Sequence, residues 1–197
     1  MSGENIKMVL EIINTLAILI ASVVAVCGIS AWRKEFQGKR NIEIAEEVLV
    51  LFYEAKDAIR AIRAFLRQQG EGATITPPQA YDSVVVYERY EKRHEIFNKL
   101  TSKRYQFKAR FGDEKDKPFE DLKNIINEIL NAAYGLSMTL STPYNNNDPI
   151  IKKQIKEFKS IMICTDQNDP KDPINPRLDK VISDIEGICK PIILGKK

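Results

Sequence analysis

Residues 12–32 read IINTLAILIASVVAVCGISAW, an apolar run that contains no charged side chain and lies between Glu11 and Arg33. At a rise of about 1.5 Å per residue, a helix over this run is roughly 31 Å long, which matches the hydrocarbon thickness of a bilayer. A helix satisfies its own backbone groups, so the few uncharged polar side chains are tolerated in lipid. The run therefore predicts one transmembrane helix, preceded by a short external segment, residues 1–11.

The charges on either side of this run predict its orientation. Lys7 is the only basic residue before it, whereas a basic juxtamembrane segment, residues 33–40, follows it and contains Arg33, Lys34, Lys39 and Arg40. Basic residues accumulate on the cytoplasmic side of membrane helices. We therefore expect a single-pass protein of the bacterial inner membrane, with its N-terminus outside and its C-terminal domain in the cytoplasm.

Two processing alternatives compete with an uncleaved anchor. A cleaved signal peptide has a basic leader and a shorter apolar region, whereas this leader is weakly charged and the apolar run is long. A lipoprotein signal would place its lipid on Cys27, but Val26 stands where a small residue is usual. Length and flanking charge favour the anchor.

A stripe of small and polar residues follows one side of the predicted anchor. Its members recur at steps of three or four and are Asn14, Ala17, Ala21, Ala25 and Gly28. Small side chains let helix backbones approach closely in lipid, and an asparagine can donate a hydrogen bond across the contact. The stripe predicts a homo-oligomer formed through the transmembrane helix, although alanine is also common in membrane helices that do not associate.

The rest of the chain, about 160 residues, is long enough for one domain with its own core. The net charge of +3 is small for 197 residues and argues against nucleic acid as a partner. Cys164 and Cys189 lack the close spacing of metal or redox motifs, so we expect reduced thiols in the cytoplasm. In an exported domain, these two cysteines would be the plausible disulfide.

Apolar residues at helical spacing predict an all-α fold: one N-terminal transmembrane helix followed by a cytoplasmic bundle of about five helices over residues 41–193, with a tail at 194–197. The predicted helices cover residues 41–69, 79–111 with an uncertain step near Thr101, 118–140, 149–162 and 175–190, the last ended by Pro191. Gly38 leaves open whether the anchor continues into the next helix. A symmetric hairpin of the first two bundle helices would pair Arg60 with Glu88.

No catalytic, cofactor-binding or metal-binding residue is predicted. Glu91 and His94 have the Glu-x-x-His spacing of di-iron bundles, but such a site needs two of these pairs and the chain has one histidine. His94 is expected as a hydrogen-bonded core residue beside Tyr90 and Phe97. A solvated helix face explains the acidic residues Glu43, Glu46, Glu47, Glu54 and Asp57.

Residues 99–110 carry basic residues and no acidic one: Lys99, Lys103, Arg104, Lys108 and Arg110. A solvated helix face around core aromatic residues is the favoured explanation of this basic surface. The functional alternatives are a contact for anionic lipid headgroups or a protein partner, because the anchor holds the domain near an anionic leaflet, and, less favoured, a contact for nucleic-acid phosphates.

Three segments resemble a family of uncharacterised bacterial single-pass membrane proteins. They are WRKEFQGKRNIEIAEEVLVLFYEAKDAIRAIR (32–63), YERYEKRHEIFNKL (87–100) and DPINPRLDKVISDIEGICKPII (172–193). The resemblance implies one N-terminal span and a helical cytoplasmic domain, and it assigns no activity and no functional residue.

These observations favour a non-enzymatic, membrane-anchored interaction or scaffold protein whose cytoplasmic bundle binds a protein partner. One alternative is a self-assembling effector of toxin or defence type that disturbs the membrane through the span. Another is an enzyme of unrecognised type.

Overall fold

The structure, a computed structural model, describes residues 3–66, 70–71, 81–141 and 148–195. Within these ranges the chain is helical and contains no strand, which confirms the predicted all-α class. The helices are α1 (Gly3–Ile62), α2 (Tyr81–Glu91), α3 (His94–Phe111), α4 (Lys117–Ser141), α5 (Pro149–Met162) and α6 (Asn175–Ile193), with a short 3-10 helix at Asp113–Lys115.

The chain divides into two compact units, an N-terminal unit, Met1–Glu43, and a C-terminal unit, Ile44–Lys197. Helix α1 continues through Gly38, so no break separates the apolar run from the helix that follows it. From Leu10 onward, α1 contains an 18-residue window with a mean hydropathy of 2.5, and none of that window is buried. The helix is therefore long and apolar enough to cross a membrane.

Helix α1 ends at Ile62, not at Gln69 as its periodicity predicts. The carbonyl of Arg63 accepts a hydrogen bond of 2.8 Å from the backbone N–H of Cys164, and Ala64 forms an isolated parallel bridge with Cys164. This pairing takes the carbonyl that a further helical turn would use, so the chain leaves the helix. Residues 67–69 lie outside the described ranges.

The aromatic helix predicted over 79–111 is two helices, and its interruption lies at Lys92 and Arg93 rather than near Thr101. Arg93 has φ −127° and ψ 0°, outside the α region, and its side chain donates a hydrogen bond of 3.2 Å to the carbonyl of Arg89. The side chain thus takes over one of the carbonyls that end α2. Residues 79 and 80 lie outside the described ranges.

Helix α4 packs against α2, α3, α5 and α6. The sequence of α4 carries apolar residues at helical spacing, and those that form this stripe are all buried: Phe119, Leu122, Ile126, Ile129, Ala133 and Leu136. Near the start of α4, the centroid of the Phe119 ring lies 4.9 Å from the ring centroid of Phe52 on α1 and 5.4 Å from that of Phe107 on α3. Three helices therefore meet at one aromatic cluster in the core.

The two last helices begin where the sequence predicts. Asp148 caps α5 by accepting a hydrogen bond of 2.8 Å from the N–H of Ile150, and α6 begins at Asn175. Helix α6, however, passes through Pro191 and ends at Ile193, so the predicted stop is wrong. A proline this close to a helix end removes one hydrogen bond only, and the N–H of Leu194 still bonds to the carbonyl of Lys190 at 2.9 Å.

Arg60 donates a hydrogen bond of 3.3 Å to Asp179 on α6, rather than pairing with Glu88 as a symmetric hairpin predicts. Lys56 contacts the same carboxylate at 2.8 Å. The charged contact that fixes this part of α1 is therefore made to the last helix of the chain. Such half-exposed pairs contribute under about 1 kcal/mol.

Candidate functional site

The predicted anchor exposes apolar side chains all around the helix. Its large apolar residues from Ile12 to Trp32 are each 52–65% exposed. The hydroxyls of Thr15, Ser22 and Ser30 donate to backbone carbonyls four residues earlier, at 2.8, 2.8 and 2.9 Å. These polar side chains are therefore satisfied within the helix itself, as lipid requires.

The predicted packing stripe, Asn14, Ala17, Ala21, Ala25 and Gly28, is exposed along one side of α1. No atom would lie within 4 Å of a Cβ placed on Gly28, so the helix surface there is open. The structure holds one copy of the chain, and self-association through this stripe stays a prediction.

The juxtamembrane basic residues differ in how their charges are matched. Lys39 pairs with Glu35 at 2.9 Å, and Arg40 pairs with Glu43 at 3.0 Å. The hydrogen bond from Lys39 lowers the pKa of the Glu35 carboxyl. Arg33 and Lys34 have no carboxylate partner within the part of the chain that the structure describes. The basic charge nearest the end of the apolar run is thus the least neutralised.

The predicted basic surface is largely paired with carboxylates. Lys99 contacts Glu95 at 3.0 Å, Lys103 contacts Glu47 on α1, and Lys108 lies 3.4 Å from Asp113. Arg110 is exposed. The surface therefore presents matched charges rather than a continuous positive face.

Arg104 is the most constrained of these basic residues. Its guanidinium donates to both oxygens of Asp116, at 2.6 and 2.5 Å, and to Glu120 at 2.8 Å. The hydrogen bonds from Arg104 to Asp116 outweigh the effect of burial and lower the pKa of the Asp116 carboxyl. Gly112, with φ 96°, turns the chain between α3 and α4 and brings Asp116 back to the arginine. Arg104 thus stabilises the turn between two helices.

His94 is the first residue of α3 and is exposed, so the expected core position is wrong. Its Nδ1 lies 2.6 Å from the carbonyl oxygen of Glu91 and 3.8 Å from the carboxylate of the same residue. Because the helix is interrupted at Arg93, His94 does not follow the helical spacing that would place it in the core with Tyr90 and Phe97. Among the described residues, no group of three His, Cys, Asp or Glu side chains is placed to hold a metal ion.

Cys164 and Cys189 are buried, free thiols. The side-chain amide of Asn175 donates to Sγ of Cys164 at 3.1 Å. Burial raises the pKa of Cys189 to about 12, so this thiol stays protonated near neutral pH and is a poor nucleophile. Cys27 is exposed on α1.

Sequence reasoning missed two buried arginines, of which Arg63 is the more enclosed. Arg63 is 0% exposed and binds Asp172 through both carboxylate oxygens, at 2.9 and 2.8 Å. It also donates to Asn175 and to the carbonyls of Ser160 and Ile161, at 2.9, 3.0 and 2.7 Å. One guanidinium therefore joins the end of α1 to the end of α5 and the start of α6.

Arg89 on α2 is the second buried arginine. It binds both oxygens of Glu71, at 2.9 and 2.7 Å, and donates to the carbonyls of Ile62, Ala64 and Leu66, at 3.3, 2.5 and 2.8 Å. It therefore satisfies the carbonyls left unpaired where α1 ends. Helical spacing from Ile59 to Arg63 and from Val85 to Arg89 places both arginines on core faces, and this signal could have identified them.

A cleft of about 740 Å³ lies beside the Arg63 network. Phe65 and Leu66 contribute exposed apolar surface, and Lys159 pairs with Asp82 at 3.1 Å on its wall. The side chain of Asp169 accepts a hydrogen bond of 2.9 Å from the backbone N–H of Lys171. Charges of both signs line this cleft, so its electrostatics favour no class of ligand.

Compared with protein-family models, curated proteins and solved structures, the chain matches none. Its function must therefore be argued from its own residues.

Proposed function

We propose that this chain is a non-enzymatic interaction protein, anchored in the bacterial inner membrane by the apolar part of α1, whose C-terminal unit is a helical bundle that binds a protein partner in the cytoplasm. The observation that carries the proposal is the exposed apolar surface of residues 12–32.

A bilayer explains this exposure better than a protein contact does. Moving one large aliphatic side chain out of water stabilises a protein by about 1.5–3 kcal/mol, so an apolar run of this length needs a cover. The consecutive residues Ile18, Leu19 and Ile20 are 59%, 58% and 62% exposed and point to different sides of the helix. One partner helix would cover one side, whereas lipid covers all of them.

The proposed orientation rests on the unmatched positive charge of Arg33 and Lys34 at the end of the span. The length of the apolar run and its weakly charged leader favour an uncleaved anchor. Both points are tested by fusing alkaline phosphatase or green fluorescent protein after Lys197 of the full chain in a bacterial host. A cytoplasmic C-terminus gives fluorescence from the second fusion and no phosphatase activity from the first. The opposite pattern, or release of the fusions from washed membranes, would refute the proposal.

A self-assembling effector that disturbs the membrane is the second candidate. The open surface around Gly28, on the exposed stripe, favours it. Reconstitution into dye-loaded liposomes separates the two functions. Leakage that Ala21→Leu abolishes would support the effector, whereas intact liposomes at the same protein density would favour the interaction protein.

A further inference from the structure

A groove of about 550 Å³ lies between α1 and α3 within the C-terminal unit. Val50 and Leu51 of α1 form its apolar floor. Val50 is 53% exposed, although its neighbours Val48 and Leu49 are buried in the core. The C-terminal unit thus leaves a strip of apolar surface open between two helices.

Two carboxylates that have no partner among the described residues lie on this groove, before and after its apolar floor. Glu46 and Glu54 line the groove four residues before and after Val50, which places them roughly 12 Å apart along the helix axis. Neither carboxylate has an ion pair or hydrogen bond to any residue in the described ranges, and both are exposed.

The lysines on the opposite wall do not neutralise these two carboxylates. Lys103 pairs with Glu47, and Lys99 pairs with Glu95 of its own helix at 3.0 Å. The charge left unmatched in the groove is therefore negative. The basic residues of α3 alone would suggest a positive groove, whereas its unmatched charge is negative.

We propose that this groove is the partner-binding site, and that its occupant is a basic amphipathic helix of another protein. Such a helix would lay apolar side chains on Val50 and Leu51 and place lysines or arginines about two turns apart against Glu46 and Glu54. The proposal rests on the proposed interaction function and names the surface and the chemistry of its partner.

The test uses the full-length protein in dodecylmaltoside and a fluorescein-labelled model peptide, LKKLLKLLKKLLKL, followed by fluorescence anisotropy. Its acidic counterpart, LEELLELLEELLEL, and empty micelles serve as blanks. The test variant carries two substitutions, Glu46→Gln and Glu54→Gln. The matched control removes two exposed carboxylates outside the groove, Glu114→Gln with Asp184→Asn, and far-UV circular dichroism verifies the fold of each protein.

We expect the basic peptide to bind the wild-type protein and to bind the Glu46/Glu54 variant about tenfold more weakly, because two ion pairs are lost. Added salt should weaken binding to the wild type more than binding to this variant. The control variant should retain wild-type affinity. Val50→Ser, which changes an exposed side chain, should also weaken binding by removing apolar contact.

Equal affinity for the wild type and the Glu46/Glu54 variant, an equal loss in the control variant, or binding of the acidic peptide would each overturn the proposal. A dimer of the full chain that this variant dissolves in analytical ultracentrifugation would also overturn it, because the occupant would be a second copy. The fusion assay is independent of this test. A cytoplasmic C-terminus without peptide binding rejects the groove alone, whereas an external C-terminus rejects the proposed function.

Discussion

Replacing Arg63 by methionine should destabilise the C-terminal unit more than any change to an exposed ion pair. Methionine replaces the aliphatic part of the side chain, to about the position of Nε, but removes the guanidinium that five hydrogen bonds engage. Asp172, whose side chain is 8% exposed, would remain as a buried carboxylate without its counter-ion. Removing one partner of a buried pair typically costs about 3–5 kcal/mol.

For a chain of this size, this cost corresponds to a fall in melting temperature of roughly 6 to 20 °C. The assay is thermal unfolding of the full chain in dodecylmaltoside, followed by far-UV circular dichroism. The matched control is Arg177→Met, which breaks the half-exposed contact of 2.7 Å with Glu128 and should cost under about 1 kcal/mol. Equal shifts in the two variants would refute the role given to the Arg63 network.

Two further predictions concern particular contacts. Burial alone would raise the pKa of Asp172, but hydrogen bonds from Arg63 and from two backbone N–H groups outweigh it and lower that pKa. The ionised carboxylate of Asp172 therefore stabilises the fold above the unfolded-state pKa of about 4, and this stabilisation is lost as the pH falls through the lower folded-state pKa. Asp172→Asn should remove this contribution and so flatten the acid side of a curve of unfolding free energy against pH. A Cβ on Gly135 would lie 2.6 Å from the ring of Phe158, so Gly135→Ala should cost about 1–3 kcal/mol in denaturant unfolding. Gly187→Ala meets no atom within 4 Å and should instead stabilise α6 by up to about 1 kcal/mol; equal effects would contradict the packing argument.

Patterns that depend on neighbouring residues could be predicted from the sequence. The charge-free run 12–32 indicates a long apolar helix, and the spacing of Phe119, Leu122 and Ile126 identifies the buried face of α4. Asp148 followed by Pro149 marks the start of α5 correctly. These signals act within one or two helical turns, where side-chain periodicity decides which face is buried.

The break between α2 and α3 could not be predicted from periodicity. No glycine or proline lies near Arg93, and the aromatic spacing continues across it, so the sequence carries no breaker. The helix ends because the side chain of Arg93 reaches the carbonyl of Arg89, while Arg89 itself is held by Glu71. The break thus combines a local contact of Arg93 with a tertiary contact of Arg89, and helical periodicity shows neither of them.

The charge of a surface likewise depends on contacts distant in sequence. Residues 99–110 contain only basic charges, yet Glu47 reaches Lys103 from α1, and Asp116 reaches Arg104 across a turn. On α1, by contrast, the negative charges of Glu46 and Glu54 stay unmatched. The lysines opposite them, Lys99 and Lys103, already pair with other carboxylates. A run of like charges can therefore be largely matched by carboxylates once the helices pack. The unpaired carboxylates beside Val50, rather than the basic run, are the stronger basis for choosing which residues to mutate first.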